Sequence, residues 1–143
     1  SQDYPGVHFE EFIVDDMAHR LVVKPEELDV LLLPNLYGDI LSDLGAGTIG
    51  GLGLAPSGCY GNDFAYFESA HGTAPDIADM GIINPTATLL SAAMMLRYLN
   101  LAEAANRLET AIAEVYHAGS DLTPDQGGDA DTETFTDAVI GAL

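Results

Sequence analysis

A chain of 143 residues can bury one medium core, and its 48% apolar composition marks a folding sequence rather than a disordered one despite a formal net charge of −19. With four Lys or Arg against 23 Asp or Glu, nothing is available to neutralise nucleic-acid phosphates or to rest on an anionic membrane. No apolar run approaches bilayer-spanning length, so neither nucleic acid nor membrane is expected as a partner.

So acidic a surface suits a salt-rich cytoplasm, where ions screen the self-repulsion that opposes a compact state, and a halophilic source is expected. The single Cys59 rules out an intrachain disulfide, and no signal-like segment opens the chain, which together predict a cytoplasmic setting.

The first predicted element is an amphipathic helix carrying Val14, Met17, Ala18, Leu21 and Val22, stopped near Lys24 by Pro25. Val30 to Leu33 form an unbroken apolar run closed by Pro34, read as a strand buried on both faces. A second helix is predicted to start near Tyr37. Five glycines between Gly45 and Gly53 are too dense for a helix interior and predict a strand or turn.

Ala65 to Phe67 reads as a short strand and His71 to Pro85 as a loop. Asn84 followed by Pro85 signals a helix start, with the helix running over Ala87 to Leu99 and largely buried. Leu101 to His117 shows a one-sided apolar pattern of Leu101, Ala105, Leu108, Ile112 and Val115 and ends before Gly119. A last helix is predicted from Thr132 to Leu143. Strands alternating with helices place the chain in the α/β class.

Three segments could carry chemistry. In NLYGDILSD, from Asn35 to Asp43, a helix puts Asp39 and Asp43 on one face, where two carboxylates repel unless a cation lies between them. Mg²⁺ or Mn²⁺ would accept such oxygen donors together with waters and a chelating substrate. Taken by spacing alone, a helical DxxxD in so acidic a chain is more often a solvated face. HGTAPDIA, from His71 to Ala78, brings Gly72 and Pro75 beside a histidine and an acid, a backbone suited to close ligand approach, although a turn acid after a proline is common without any ligand. The glycine run is not a dinucleotide fingerprint of the GxGxxG kind.

The order NLYGDILSDLGAGTIGGLGLAPSG, FESAHGTAPDIA, NPTATLLSAAMMLR resembles the isocitrate and isopropylmalate dehydrogenases over nearly the whole chain. The resemblance implies the carboxy-terminal portion of that α/β fold. Residues 1–48 would belong to the small, dimer-interface and metal-binding domain, and residues 49–143 to the large NAD-binding domain. It implies Mg²⁺ or Mn²⁺ on Asp39 and Asp43, joined by Asp15 from the other subunit of a homodimer, with Asp16 as the rival position. It implies that His71, Gly72, Ala74, Asp76, Ile77 and Asn84 hold the adenosine half of NAD, that Glu68 faces the nicotinamide side, and that Asp125 in LTPDQGG lies near the adenosine pocket.

At Asp76 the chemistry decides between cofactors, because a carboxylate accepts hydrogen bonds from both ribose hydroxyls and repels a 2′-phosphate. NAD is therefore expected over NADP. The family's lysine and tyrosine acid–base pair and its substrate arginines lie upstream of everything in this sequence, so no catalytic residue is assigned here. A complementary amino-terminal chain, or the rest of a longer chain, is expected to supply them. FES at Phe67 to Ser69 and LTPDQGG favour isocitrate as the hydroxy-acid substrate, with 3-isopropylmalate next. A non-catalytic subunit of the same fold and an acidic interaction module without ligands are the readings of other classes.

Overall fold

A computed structural model describes residues 3–143. The chain divides into two compact units, one ending at Thr48 and the other running from Ile49 to Leu143.

The first unit contains two helices, α1 (Val14–Val23) and α2 (Asn35–Thr48). Asp15 and Asp16 lie in the first turn of α1 and Arg20 in its last, the arrangement that complements the helix dipole. Met17, Leu41 and Ala46 form its small buried centre. Two expectations need correcting here. Val30 to Leu33 makes no strand: Leu31 and Leu33 are half-buried while Leu32 is 92% exposed. The backbone alternates as an extended chain does, but no strand lies alongside to exchange its amides. The glycine-rich segment is also helical further than expected, because α2 continues through Gly45 and Gly47 to Thr48. Two helical glycines cost about 1 kcal/mol each. Burial of Leu41 and Ala46 offsets this. The turn comes only afterwards, at Gly50 and Gly51, whose φ values of 120° and 122° exclude side chains.

The second unit opens with a hairpin of β1 (Pro56–Tyr60) and β2 (Ala65–Ser69), antiparallel with Gly58 opposite Phe67. Sequence periodicity indicated only the second strand; β1 contains Pro56 and Gly58 and lacks an alternating pattern. Three helices follow, α3 (Thr86–Tyr98), α4 (Ala102–Ala118) and α5 (Thr132–Ala142). Ser91 of α3 stitches the helix to both strands: its Oγ accepts from the Ser57 amide at 3.2 Å and lies 2.6 Å from the Glu68 carbonyl. The main core joins Ala111, Ile112 and Val115 of α4 to Phe135 and Val139 of α5. Gly119 closes α4 in the left-handed conformation, and Asp131 caps α5 by accepting from the Thr134 amide at 2.7 Å. That bond holds the Asp131 carboxyl below its ordinary pKa. The sheet is thus a single hairpin in a helix-rich chain, and no helix among the described residues is long and apolar enough to cross a membrane.

All four cations are committed locally. Arg20 pairs with Asp16, Lys24 with Glu27 and Arg97 with Glu109, while Arg107 donates to the Leu143 carbonyl. Most carboxylates are consequently left without a cation partner among the described residues. The thermal midpoint is expected to rise with added KCl by several degrees, equivalent to about 1 kcal/mol or more. Calorimetry across a salt series checks this, and a flat or falling midpoint would remove the argument for a salt-adapted surface.

Candidate functional site

Helix α2 places Asp39 and Asp43 one turn apart, both exposed, and neither is in an ion pair among the described residues. On α1, Asp16 is engaged by Arg20 at 2.8 Å. Asp15 is exposed and its carboxylate accepts only the neighbouring Asp16 amide, at 2.8 Å. Of the two candidates for a third metal carboxylate, Asp15 is therefore the one left without a cation. No three His, Cys, Asp or Glu side chains converge on one point among the described residues, so Asp15 does not join Asp39 and Asp43 within the chain. Two exposed oxygen donors one helical turn apart fit a hard divalent ion that completes its shell with water and other ligands.

In the second unit, Glu68 lies exposed on β2, which leads directly into the HGTAPDIA segment. His71 is half-buried, with Nδ1 3.0 Å from the Gly72 carbonyl; a proton on Nδ1 makes that a hydrogen bond and leaves Nε2 as an acceptor. Ala74 adopts the left-handed conformation at φ 42°, immediately before a 3-10 turn over Pro75–Ile77. A non-glycine residue there costs roughly 1–2 kcal/mol, so the surrounding chain must enforce it. It is tied by the Ile77 amide donating to the Ala74 carbonyl at 3.1 Å. Gly72 and Asp76 are exposed and Ile77 half-buried. No ion pair among the described residues involves Asp76. Further on, Thr132 at the start of α5 donates its amide to Gly81 O (2.7 Å) and its hydroxyl to Ile83 O (2.5 Å), fixing the far end of the loop.

Asn84 and Asp125 do meet. Asn84 Nδ2 donates to Asp125 Oδ2 and to the Tyr116 hydroxyl, each at 3.0 Å, and Asn84 Oδ1 accepts from the Thr86 amide at 3.0 Å. Both amide hydrogens are spent, and the residue is 4% exposed. Asp125 also accepts from Thr123 Oγ1 at 2.5 Å and from Gln126 Nε2 at 3.0 Å. Burial pushes its carboxyl pKa up, but the bonds from Thr123, Gln126 and Asn84 outweigh that and hold it below the ordinary aspartate value. Gly53 completes the packing: a Cβ there would stand 3.3 Å from both Asn84 Cβ and Asp125 Oδ2. Tyr116, Thr86, Thr123 and Gln126 were not singled out from the sequence. Only the position of Tyr116 beside Val115, on the helix face of Ile112, hinted that a polar tip enters the core.

The isocitrate/isopropylmalate dehydrogenase family model matches residues 1–139. The chain belongs to this family. The isocitrate/homoisocitrate dehydrogenase of Thermus thermophilus is 57% identical over 143 residues, all of this chain and 42% of that protein. The probable NAD isocitrate dehydrogenase subunit alpha of Drosophila melanogaster, a mitochondrial protein, is 50% identical over 143 residues, again all of this chain and 38% of that protein. Among solved structures, the isocitrate dehydrogenase of Methylococcus capsulatus superposes with a TM-score of 0.93 at 45% identity, over 99% of this chain and 42% of that one. The chain thus spans about two fifths of the relatives it matches, their carboxy-terminal portion, and its fold is that portion of an isocitrate/isopropylmalate-type dehydrogenase.

Proposed function

We propose that this chain is the nucleotide- and metal-binding carboxy-terminal portion of an NAD-linked, decarboxylating isocitrate dehydrogenase. The observation that carries the reading is Asp76: an exposed carboxylate, outside every ion pair among the described residues, held on a 3-10 turn directly after a left-handed alanine, where two ribose hydroxyls can donate to it. The names of the Thermus and Drosophila relatives support isocitrate as the substrate. The family description keeps 3-isopropylmalate as the second reading.

In this reading His71, Gly72, Ala74, Asp76 and Ile77 bind and orient the adenosine half of NAD, with Glu68 toward the nicotinamide side. Asn84 serves as an internal anchor, its side chain having no free donor. Asp39 and Asp43 hold Mg²⁺ or Mn²⁺ with Asp15 of a second copy, which makes the working unit a homodimer. A divalent ion so held supplies Lewis acidity to the substrate's hydroxyl and carboxylate oxygens. The reaction takes a hydride from the hydroxyl-bearing carbon to NAD and a proton from its oxygen, releases the β-carboxylate as carbon dioxide, and returns a proton to the enolate. The residues that move those protons and the arginines that bind the substrate carboxylates lie in the upstream portion of the enzyme, so the unit up to Thr48 serves as part of the small domain and the rest as part of the large domain.

Calorimetric titration with NAD and NADP, with and without Mn²⁺, tests the proposal. NAD is expected to bind at least tenfold tighter than NADP, and Mn²⁺ binding is expected to vanish in the Asp39→Asn, Asp43→Asn double variant. Equal affinity for the two nucleotides would remove the cofactor assignment, and unchanged Mn²⁺ binding the metal assignment.

A further inference from the structure

The Tyr116 hydroxyl stands at the centre of a buried polar cluster that draws four separate stretches of chain together. It accepts from Asn84 Nδ2 at 3.0 Å and lies 2.8 Å from Thr86 Oγ1, to which it can donate. Through Asn84 it reaches Asp125, and through Asp125 it reaches Thr123 and Gln126, whose Nε2 in turn donates to the Gly50 carbonyl at 3.1 Å. The ring is itself fixed, edge-on to Phe135 with centroids 5.5 Å apart. Every member has its partners, and no buried side-chain polar atom among the described residues is left unsatisfied. Networks satisfied in this way hold one geometry, because each alternative strands a polar group away from water.

We infer that Tyr116 is a positioning residue for the nucleotide site, acting through Asn84 and Asp125; the inference rests on the proposed reading of the His71–Asn84 segment as that site. The geometry favours this over a purely architectural role. Asn84 is the residue at which the nucleotide loop rejoins α3, and its amide nitrogen has no hydrogen left to donate to a ligand, since Tyr116 and Asp125 take both. What Asn84 can do is set the path of the Ile83–Asn84 backbone and the orientation of the Asp125 carboxylate. Tyr116 and Asp125 each take one of the two hydrogens of the Asn84 amide nitrogen, so the hydroxyl and the carboxylate together fix the orientation of that amide. Without the hydroxyl, one Asn84 N–H has no acceptor in a site 4% exposed, and the amide must rotate or the loop must shift to reach water.

Tyr116→Phe tests this, since it removes one oxygen and keeps the ring against Phe135. NAD and ADP-ribose are titrated into the whole chain, with circular dichroism and a thermal scan to establish that each variant is folded. Both ligands are expected to bind about tenfold more weakly to Tyr116→Phe. Thr86→Val, which removes the hydroxyl that fixes Tyr116, should weaken both in the same sense, while Thr86→Ser retains wild-type affinity. A merely structural role would lower the thermal midpoint of Tyr116→Phe and leave the affinity of the folded protein unchanged. That result, with the wild-type chain binding both ligands, overturns the positioning role and leaves the nucleotide site standing. A wild-type chain that binds neither ligand overturns the nucleotide reading, and the role of Tyr116 falls with it.

Discussion

Phe135→Ala is expected to destabilise the chain by about 3–5 kcal/mol. Phe135 is fully buried and is the largest of the side chains that are. It fills the space between α4 and α5 among Ala111, Ile112, Val115 and Val139, with Tyr116 edge-on to its ring. Removing the ring loses its transfer free energy and leaves a cavity whose walls are helical and cannot collapse. A domain of this size has about 5–15 kcal/mol of stability in all, so the variant should be near its unfolding midpoint under mild conditions. Urea unfolding measures the effect, with Ile140→Ala as the control on the same helix. Ile140 is 61% exposed, and its truncation is expected to cost under about 1 kcal/mol. Similar costs for the two substitutions would mean that α5 does not dock as described.

Asp76→Lys is expected to leave stability within about 0.5 kcal/mol of wild type, because the side chain is exposed and outside the ion pairs. Its effect falls on the ligand. Hydrogen bonds to a charged acceptor are worth roughly 1.5–3 kcal/mol, so NAD affinity should fall about 10- to 100-fold. NADP should gain, since the ammonium group attracts the 2′-phosphate that the carboxylate repelled. The two changes together should move the NAD-to-NADP preference by more than about a hundredfold, read as the ratio of dissociation constants. A lysine variant with an unchanged ratio would place the ribose elsewhere.

Much of this architecture was legible in the residues. The helices of the second unit follow from unambiguous signals: the apolar stripe of Ala105, Ile112 and Val115, Gly119 as terminator, and Asn84 before Pro85, whose side chain does satisfy the Thr86 amide. The misreadings have a common physical source, in that each concerned a residue whose neighbours lie far away in sequence. Leu31 to Leu33 has the composition of a buried strand, yet a strand exists only where another supplies hydrogen bonds. Gly45 and Gly47 have poor helix propensity, yet burial of Leu41 and Ala46 on the same helix outweighs that cost.

The candidate site divides in the same way. Asp39, Asp43, Asp76 and the rest of HGTAPDIA were singled out because each lies in a contiguous segment that carries the family resemblance, whereas spacing alone left them ambiguous. That Asp16 is occupied by Arg20, leaving Asp15 free, follows from a helical spacing of four that the sequence already contained. The helical spacing from Ile112 could hint only that Tyr116 is buried, not what its hydroxyl meets, because its partners sit 30 to 32 residues upstream and nothing in the spacing between them is periodic.

The scarcity of cations has a consequence for proteolysis. Trypsin cuts after Lys or Arg, and Lys24 is protected by the proline that follows it. The three bonds that remain follow Arg20 in α1, Arg97 at the last peptide bond of α3, and Arg107 in α4, and each arginine is held by a hydrogen bond of the fold. A protease needs an extended substrate, so each cut requires its own helix to open, and the rates at the three sites give the opening free energies of three separate helices in one digest.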